Sequence, residues 1–305
     1  MTHRGTNCRN LNGLLLLDKP AGLSSNQALQ AVKKLYNARK AGHTGSLDPL
    51  ATGLLVICLG EATKISAYLL EADKRYLTTC KLGVKTATAD AEGAILETRP
   101  IESYSAVRIE HALAEFRGCI DQVPPMYSAM KVKGMRLYKL ARKGVEVARE
   151  PRQVVINELE LVDQGADTLT LNISCSKGTY VRTLIETIGE ALGCGAHVTA
   201  LRRLGITPFD RPDMISLEEL SDRAGRDFAG LARNLLPIDS ALMGWPALNV
   251  DEACAFYLKT GQAVQIPGAP LKGKTRLYNQ RHDFIGVGRV LDDGRVAPER
   301  TISTR

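Results

Sequence analysis

The run Gly42-His43-Thr44-Gly45-Ser46-Leu47-Asp48-Pro49-Leu50-Ala51-Thr52-Gly53 leads directly into Leu54-Leu55-Val56-Ile57-Cys58-Leu59. One carboxylate, Asp48, stands alone among glycines, small hydroxyls and a histidine. Glycine carries no Cβ, so this stretch admits turns at positive φ and close approach of a second backbone. Pro49 fixes the chain direction after Asp48 and disfavours a helical Asp48. The apolar hexapeptide reads as a buried strand. The junction is thus a tight loop that holds one acid at the edge of a sheet. A phosphate-binding loop is not indicated, because neither Lys-Ser nor Lys-Thr follows the last glycine. Taken alone, Asp48 reads equally as a turn-capping acid.

Working outward, Leu14-Leu15-Leu16-Leu17 reads as another buried strand, ending at Asp18-Lys19-Pro20-Ala21-Gly22. Ser24 or Ser25 then caps a helix with Leu29, Val32, Leu35 and Tyr36 on one face. Beyond the Asp48 junction, Gly60 breaks the strand and a helix carries Ile65, Leu69 and Leu70. Residues 76–82 read as a strand and residues 86–93 as a polar loop. Ser105 caps a helix through Val107, Leu113 and Phe116, stopped by Gly118. Residues 168–175 alternate, with Leu169, Leu171, Ile173 and Cys175 on the buried side of a strand. A helix over 181–192 places Leu184, Ile185, Ile188 and Leu192 in one stripe before Gly193. Strands and helices mix without strict βαβα alternation. The expected class is α+β, with a mixed, mostly antiparallel central sheet flanked by helices.

A chain of 305 residues suggests about two domains. Residues 237–246 read as a boundary, giving a main domain over 10–246. Residues 247–305, with a helix near 251–258, then form a small β-rich domain. A net charge of +7 favours polyanionic partners. The seven cysteines are odd in number and no pair is spaced Cys-x-x-Cys, which argues against a disulfide framework or a zinc site and suits a reducing compartment. The first twelve residues have no apolar signal core, and no apolar run approaches the ~20 residues of a membrane span. A cytoplasmic location is expected. The histidines are not spaced for metal binding either.

The Gly42–Gly53 run closely resembles the catalytic motif of the TruB family of pseudouridine synthases, which implies the pseudouridine synthase fold with a PUA-like C-terminal domain. Four more stretches carry the resemblance: Lys74-Arg75-Tyr76; Pro124-Pro125-Met126-Tyr127-Ser128-Ala129-Met130-Lys131 continuing through Gly134, Arg136, Tyr138 and Arg142; Lys177-Gly178-Thr179-Tyr180-Val181-Arg182; and Ala196-His197 with Leu201-Arg202-Arg203. It implies isomerisation of uridine to pseudouridine in RNA. That reaction breaks the ribose C1′–N1 bond, turns the base and joins C1′ to C5. Nothing is oxidised and no group is lost, so neither cofactor nor metal is expected. By the resemblance, Asp48 is the catalytic carboxylate. Attack at C1′, attack at C6 and removal of a ribose proton all stay open.

An enclosed carboxylate needs a counter-charge, and Arg182 is the expected partner, lowering the Asp48 pKa by about 1–3 units. The resemblance makes Tyr76 the active-site tyrosine, stacked on uracil with its hydroxyl near C5, and places Tyr180 and Leu201 in the pocket. It gives His43 the space vacated by a flipped base, whose unstacking costs a few kcal/mol. Eight basic residues between 131 and 152, Lys131, Lys133, Arg136, Lys139, Arg142, Lys143, Arg149 and Arg152, suit a grip on the RNA backbone, with Tyr127 and Tyr138 interleaved. A solvated helix face is the plainer reading of such a run. The gripping segment, about 124–152, is expected to be mobile without RNA. Lys19 and Lys64 are expected to add backbone contacts. The implied substrate is uridine 55 in the T-arm loop of tRNA, with no membrane, no obligate protein partner and a monomeric enzyme. The alternatives are a synthase acting on another RNA and a non-catalytic RNA-binding or tRNA-folding factor.

Overall fold

The computed structural model describes residues 8–132, 134–226 and 228–303. Lys133 therefore lies outside the described residues, as does the N-terminal stretch 1–7. The first half contains β1 (Gly13–Lys19), α1 (Ser25–Leu35), β2 (Ala41–His43), β3 (Thr52–Leu59), α2 (Ser66–Glu71), β4 (Lys74–Leu82), β5 (Val84–Thr86), β6 (Ile95–Thr98), α3 (Ala106–Ala114) and β7 (Gly118–Gln122). It continues through β8 (Lys131–Val132), β9 (Met135–Arg136), α4 (Leu137–Ala141), β10 (Arg152–Gln164), β11 (Thr168–Cys175), α5 (Val181–Ala191) and β12 (Ala196–Ile206). Last come β13 (Ile215–Ser216), α6 (Leu217–Arg226), α7 (Phe228–Ala232), β14 (Ala247–Asn249), α8 (Glu252–Lys259), β15 (Gly273–Tyr278), β16 (Phe284–Val290) and β17 (Val296–Thr301).

The central sheet runs in the order β13-β1-β3-β12-β4-β11-β10-β7, with β2 added beside β3. Only β1–β13 and β3–β12 are parallel pairs; the others are antiparallel. This is the mixed, mostly antiparallel sheet that the apolar patterning predicts. Leu14, Leu15, Leu17 and all of Leu54–Leu59 are buried because β1 and β3 are covered on both faces. Two core clusters flank them: Leu15, Leu17, Leu55 and Ile57 meet α1, while Leu14, Val56 and Cys58 meet Ile65 and Leu69. The α5 stripe, Leu184, Ile185, Ile188 and Leu192, packs on β4, β11 and β12. Burying such a side chain contributes about 1.5–3 kcal/mol.

Two local expectations need correction. Val107 is 79% exposed; α3 buries Ile109, Ala112 and Leu113 instead, because the stripe starts two residues later. Residues 86–93 form a partly buried turn rather than a solvated loop. Thr86, Ala89 and Asp90 are buried, and Asp90 bridges to Val198 of β12.

The C-terminal sheet, β14-β15-β16-β17, carries its own cluster around Leu248, Leu258, Leu277 and Val296. It is not hung on a bare linker. Val287 and Ile302 share a cluster with Leu14, Val56 and Leu242, the last on a 3-10 turn over Ile238–Leu242.

Candidate active site

The loop between β2 and β3 is tied down from three sides. The hydroxyl of Ser25, at the start of α1, accepts from Leu47 N–H (2.7 Å) and donates to Leu47 C=O (3.1 Å). Gly22 N–H donates to the Pro49 carbonyl at 2.8 Å. The Lys19 ammonium donates to Pro20 O (2.8 Å), Leu23 O (2.6 Å) and Pro49 O (3.4 Å). Lys19 is fully buried, so it fastens this loop and does not meet an RNA phosphate, contrary to the sequence expectation. Gly53, at φ +93°, is where β3 passes β12, and a Cβ there would stand 2.3 Å from the Arg203 carbonyl oxygen. Only glycine lets the two strands close beside Asp48.

Asp48 faces a cavity of about 610 Å³. That size suits a nucleoside-scale group, since ligand pockets span about 300–1,000 Å³. Tyr76, Tyr180, Arg142, Arg182 and Leu201, all expected in the site, line it together with Asp48. Arg182, from the first turn of α5, is 5% exposed at its side chain. Its Nε stands 2.9 Å from Asp48 Oδ2, and its Nη1 stands 3.5 Å from Asp90 Oδ2. The same guanidinium donates to Thr88 O (2.7 Å) and Tyr127 O (2.9 Å). Asp90 is further held by the Thr88 hydroxyl and by Glu92 N–H.

One arginine thus serves two carboxylates. The Asp48 side chain is 41% exposed, but through the cavity mouth, with protein on its other sides. Burial pushes its carboxyl above the ordinary range; Arg182 opposes this, and Asp90 adds to it. The net shift is upward, the reverse of what an Arg partner alone predicts, because burial outweighs the Arg182 pairing and the Asp90 charge adds to it.

Tyr76 lies in β4, and burial raises its hydroxyl pKa, with the neighbouring Arg203 guanidinium pulling the other way. Arg203 and Tyr76 are direct cross-strand partners in the β12–β4 pairing. Lys74, at the start of β4, caps α2 by donating to Leu70 O (2.7 Å) and to Ala72 O. Burial lowers its pKa to about 8.

The cavity does not gather every expected residue. His43 sits on β2, half-buried and outside the lining, with Nδ1 unpartnered. Burial and Arg203 lower its pKa, which favours a neutral ring. Lys131 is exposed on the β8–β9 hairpin. Lys64, in the 3-10 turn Gly60–Lys64 after β3, is bonded to Glu61 (2.6 Å) and to Thr301 O (2.9 Å), so it links this turn to the C-terminal sheet and is not part of the cavity lining. Tyr127, Ser128, Tyr138 and Arg142 of the basic segment wall the cavity, and the Arg142 guanidinium lies 5.6 Å from the Tyr138 ring centre. Sequence reasoning passed over Asp90, Lys74 and Arg203 as site residues, although all three line the cavity. The one readable signal was Arg203, a charge on the inward phase of Leu201-x-Arg203-x-Gly205.

Three family descriptions match consecutive parts of the chain: TruB family pseudouridylate synthase (N terminal domain) over residues 33–181, tRNA pseudouridylate synthase B C-terminal domain over 182–243, and Pseudouridine synthase II TruB, C-terminal, over 246–302. The tRNA pseudouridine synthase B of Nitrosococcus oceani is 55% identical over 294 residues, covering 96% of each chain. That of Coxiella burnetii is 54% identical over 300 residues, covering 97% of this chain and 96% of its own. Among solved structures, a Cbf5-Nop10-Gar1 complex contains a chain with TM-score 0.74 at 23% identity, covering 98% of this chain and 87% of that one, a likeness of fold. The fold and the relatives are those of a pseudouridine synthase, an isomerase. The chain belongs to the TruB family.

Proposed function

We propose that this enzyme converts uridine 55 in the T-arm loop of tRNA to pseudouridine, with Asp48 as the catalytic carboxylate and no cofactor. The relatives named tRNA pseudouridine synthase B support the tRNA substrate. The observation that carries the reading is Asp48 facing a nucleoside-sized cavity with Arg182 2.9 Å away. Tyr76 stacks on the flipped uracil, and Tyr180 and Leu201 close the pocket around it. The neutral His43 ring fills the gap left in the RNA helix. The segment 124–152 grips the backbone through Lys131, Arg142 and their exposed neighbours, and is mobile until RNA arrives. We assign the catalytic unit to residues 10–246 and a PUA-like unit to 247–305. The enzyme works as a cytoplasmic monomer without a protein partner.

The test is incubation of an unmodified tRNA transcript with the protein and no additive, followed by mapping of pseudouridine at nucleotide resolution. One new pseudouridine at position 55 is expected. Tight binding without product would instead favour a binding or folding factor. Binding should also weaken by orders of magnitude between low and moderate salt, as released counterions require; a flat profile would refute the backbone grip.

A further inference from the structure

Arg203 is 1% exposed, and among the described residues no carboxylate oxygen comes within 4 Å of it. A buried, unpaired guanidinium is costly, so its position invites a chemical reason. Its Nε donates to Leu54 O at 2.6 Å, and an Nη reaches toward Gly45 O at 3.4 Å. Those carbonyls hold the group without neutralising it. The charge stands on the cavity wall, beside the hydroxyl of its cross-strand partner Tyr76. Directly opposed residues on one sheet face hold their Cβ atoms about 4.5–5.5 Å apart, so the pairing is imposed by the strands and not by chance rotamers.

We infer that Arg203 is a positioning residue that stabilises negative charge on the Tyr76 oxygen while a proton passes from C5 to N1 of the base. The inference rests on the proposed reading of Tyr76. Whichever route Asp48 takes, the joined intermediate carries both the new C1′ bond and a hydrogen at C5, and its N1 lacks a proton. Pseudouridine has the reverse: no hydrogen at C5 and an N1–H. The balance closes within the site. Tyr76 gives its hydroxyl proton to N1, the resulting phenolate takes the C5 proton, the C5–H bond breaks, and the tyrosine ends as it began. The transient phenolate is the species that needs a fixed cation, and burial of Arg203 keeps that cation free of competing water. Asp48 cannot supply this role, because its own charge opposes a phenolate.

The experiment uses the full-length protein and two tRNA transcripts, one with ordinary uridine and one with uridine deuterated at C5. Arg203→Gln keeps donors for the two carbonyls but removes the charge; Arg203→Lys keeps a charge. Arg203→Gln should slow single-turnover product formation about 100-fold, as loss of proton-transfer catalysis does, with tRNA affinity unchanged and a primary isotope effect that the unsubstituted enzyme lacks. Arg203→Lys should fall between the two in rate and isotope effect. A merely structural arginine would slow both transcripts equally, and that result, or an unchanged rate for Arg203→Gln, overturns the inference. Should the Gln variant fail to fold, Arg203→Met takes its place, removing the charge at similar length: a rate that is unchanged, or slowed equally on both transcripts, overturns it. If the unsubstituted enzyme makes no pseudouridine, the functional reading fails and this inference with it; an active enzyme whose Arg203 variants slow both transcripts equally fails this inference alone.

Discussion

Nε of Arg182 stands 2.9 Å from Oδ2 of Asp48, and the other contacts of that guanidinium go to Asp90, Thr88 O and Tyr127 O. The arginine therefore does more than neutralise one acid. It ties a loop before β3, a turn after β5 and, at Tyr127 alone, the root of the basic segment to the first turn of α5. Asp48 and the cavity wall above it are set by the same side chain.

Asp48→Asn keeps the shape and removes the charge. Pseudouridine formation should fall to background, while tRNA affinity stays within about threefold, because phosphate contacts dominate binding. Product mapping and a filter-binding isotherm on the same preparation check both halves. Retained activity would remove Asp48 from the mechanism.

The pH profile follows from the sharing of Arg182. If ionised Asp48 is required, activity is lost as pH falls through a carboxyl pKa lying above the ordinary ~3.9. Asp90 contributes to that upward shift. Asp90→Asn should therefore move the acid limb of the single-turnover profile to lower pH, although the plateau rate falls because the Arg182 contacts loosen. A limb that moves upward would contradict the assignment.

Much of this was legible in the chain because it is local. Apolar runs gave β1 and β3, alternation gave β11, and the α5 stripe gave the helix that carries Arg182. The Asp48–Arg182 pair, 134 residues apart in sequence, was reachable only through the family resemblance and the need of an enclosed acid for a cation. Arg203 and Asp90 were missed for a physical reason: their roles depend on strand register. Nothing local says that residue 203 pairs with Tyr76, or that a turn after β5 docks on Val198. Lys19 was misplaced for a related reason. A lysine beside Pro20 looks like a surface charge until Leu23 and Pro49 fold over it.

Lys74 supplies a stability test with a definite sign. Its pKa is lowered by burial to about 8 in the folded protein, against about 10.4 in the unfolded chain. Between those values the unfolded chain binds more protons, so this group makes stability rise with pH from about 8 to about 10. Lys74→Met removes the group. Urea unfolding at pH 8 and pH 10 should show a smaller gain, or a larger loss, for the variant than for the parent. An identical pH slope would mean that the ammonium is better solvated than its two carbonyl partners imply.

Gln122, at the end of β7, offers the last prediction. Its amide accepts from Tyr180 N–H at 2.8 Å and donates to Tyr180 C=O at 3.1 Å, so one buried side chain imitates a ladder pair. Two residues later Pro124 begins the basic segment, and five residues later the Tyr127 carbonyl receives Arg182. The root of the segment and the start of α5 are thus joined twice. Gln122→Met preserves volume and deletes both bonds; the Tyr180 carbonyl still accepts from Leu184 N–H, but the Tyr180 N–H is left without a partner at about 1–3 kcal/mol. The melting temperature should drop by several degrees. The single-turnover rate should drop more than tenfold, because Arg182 and Tyr180 lose their anchor together. Trypsin should also cut the segment faster in the free protein. A variant that melts early yet turns over normally would show that Gln122 supports the fold without setting the site.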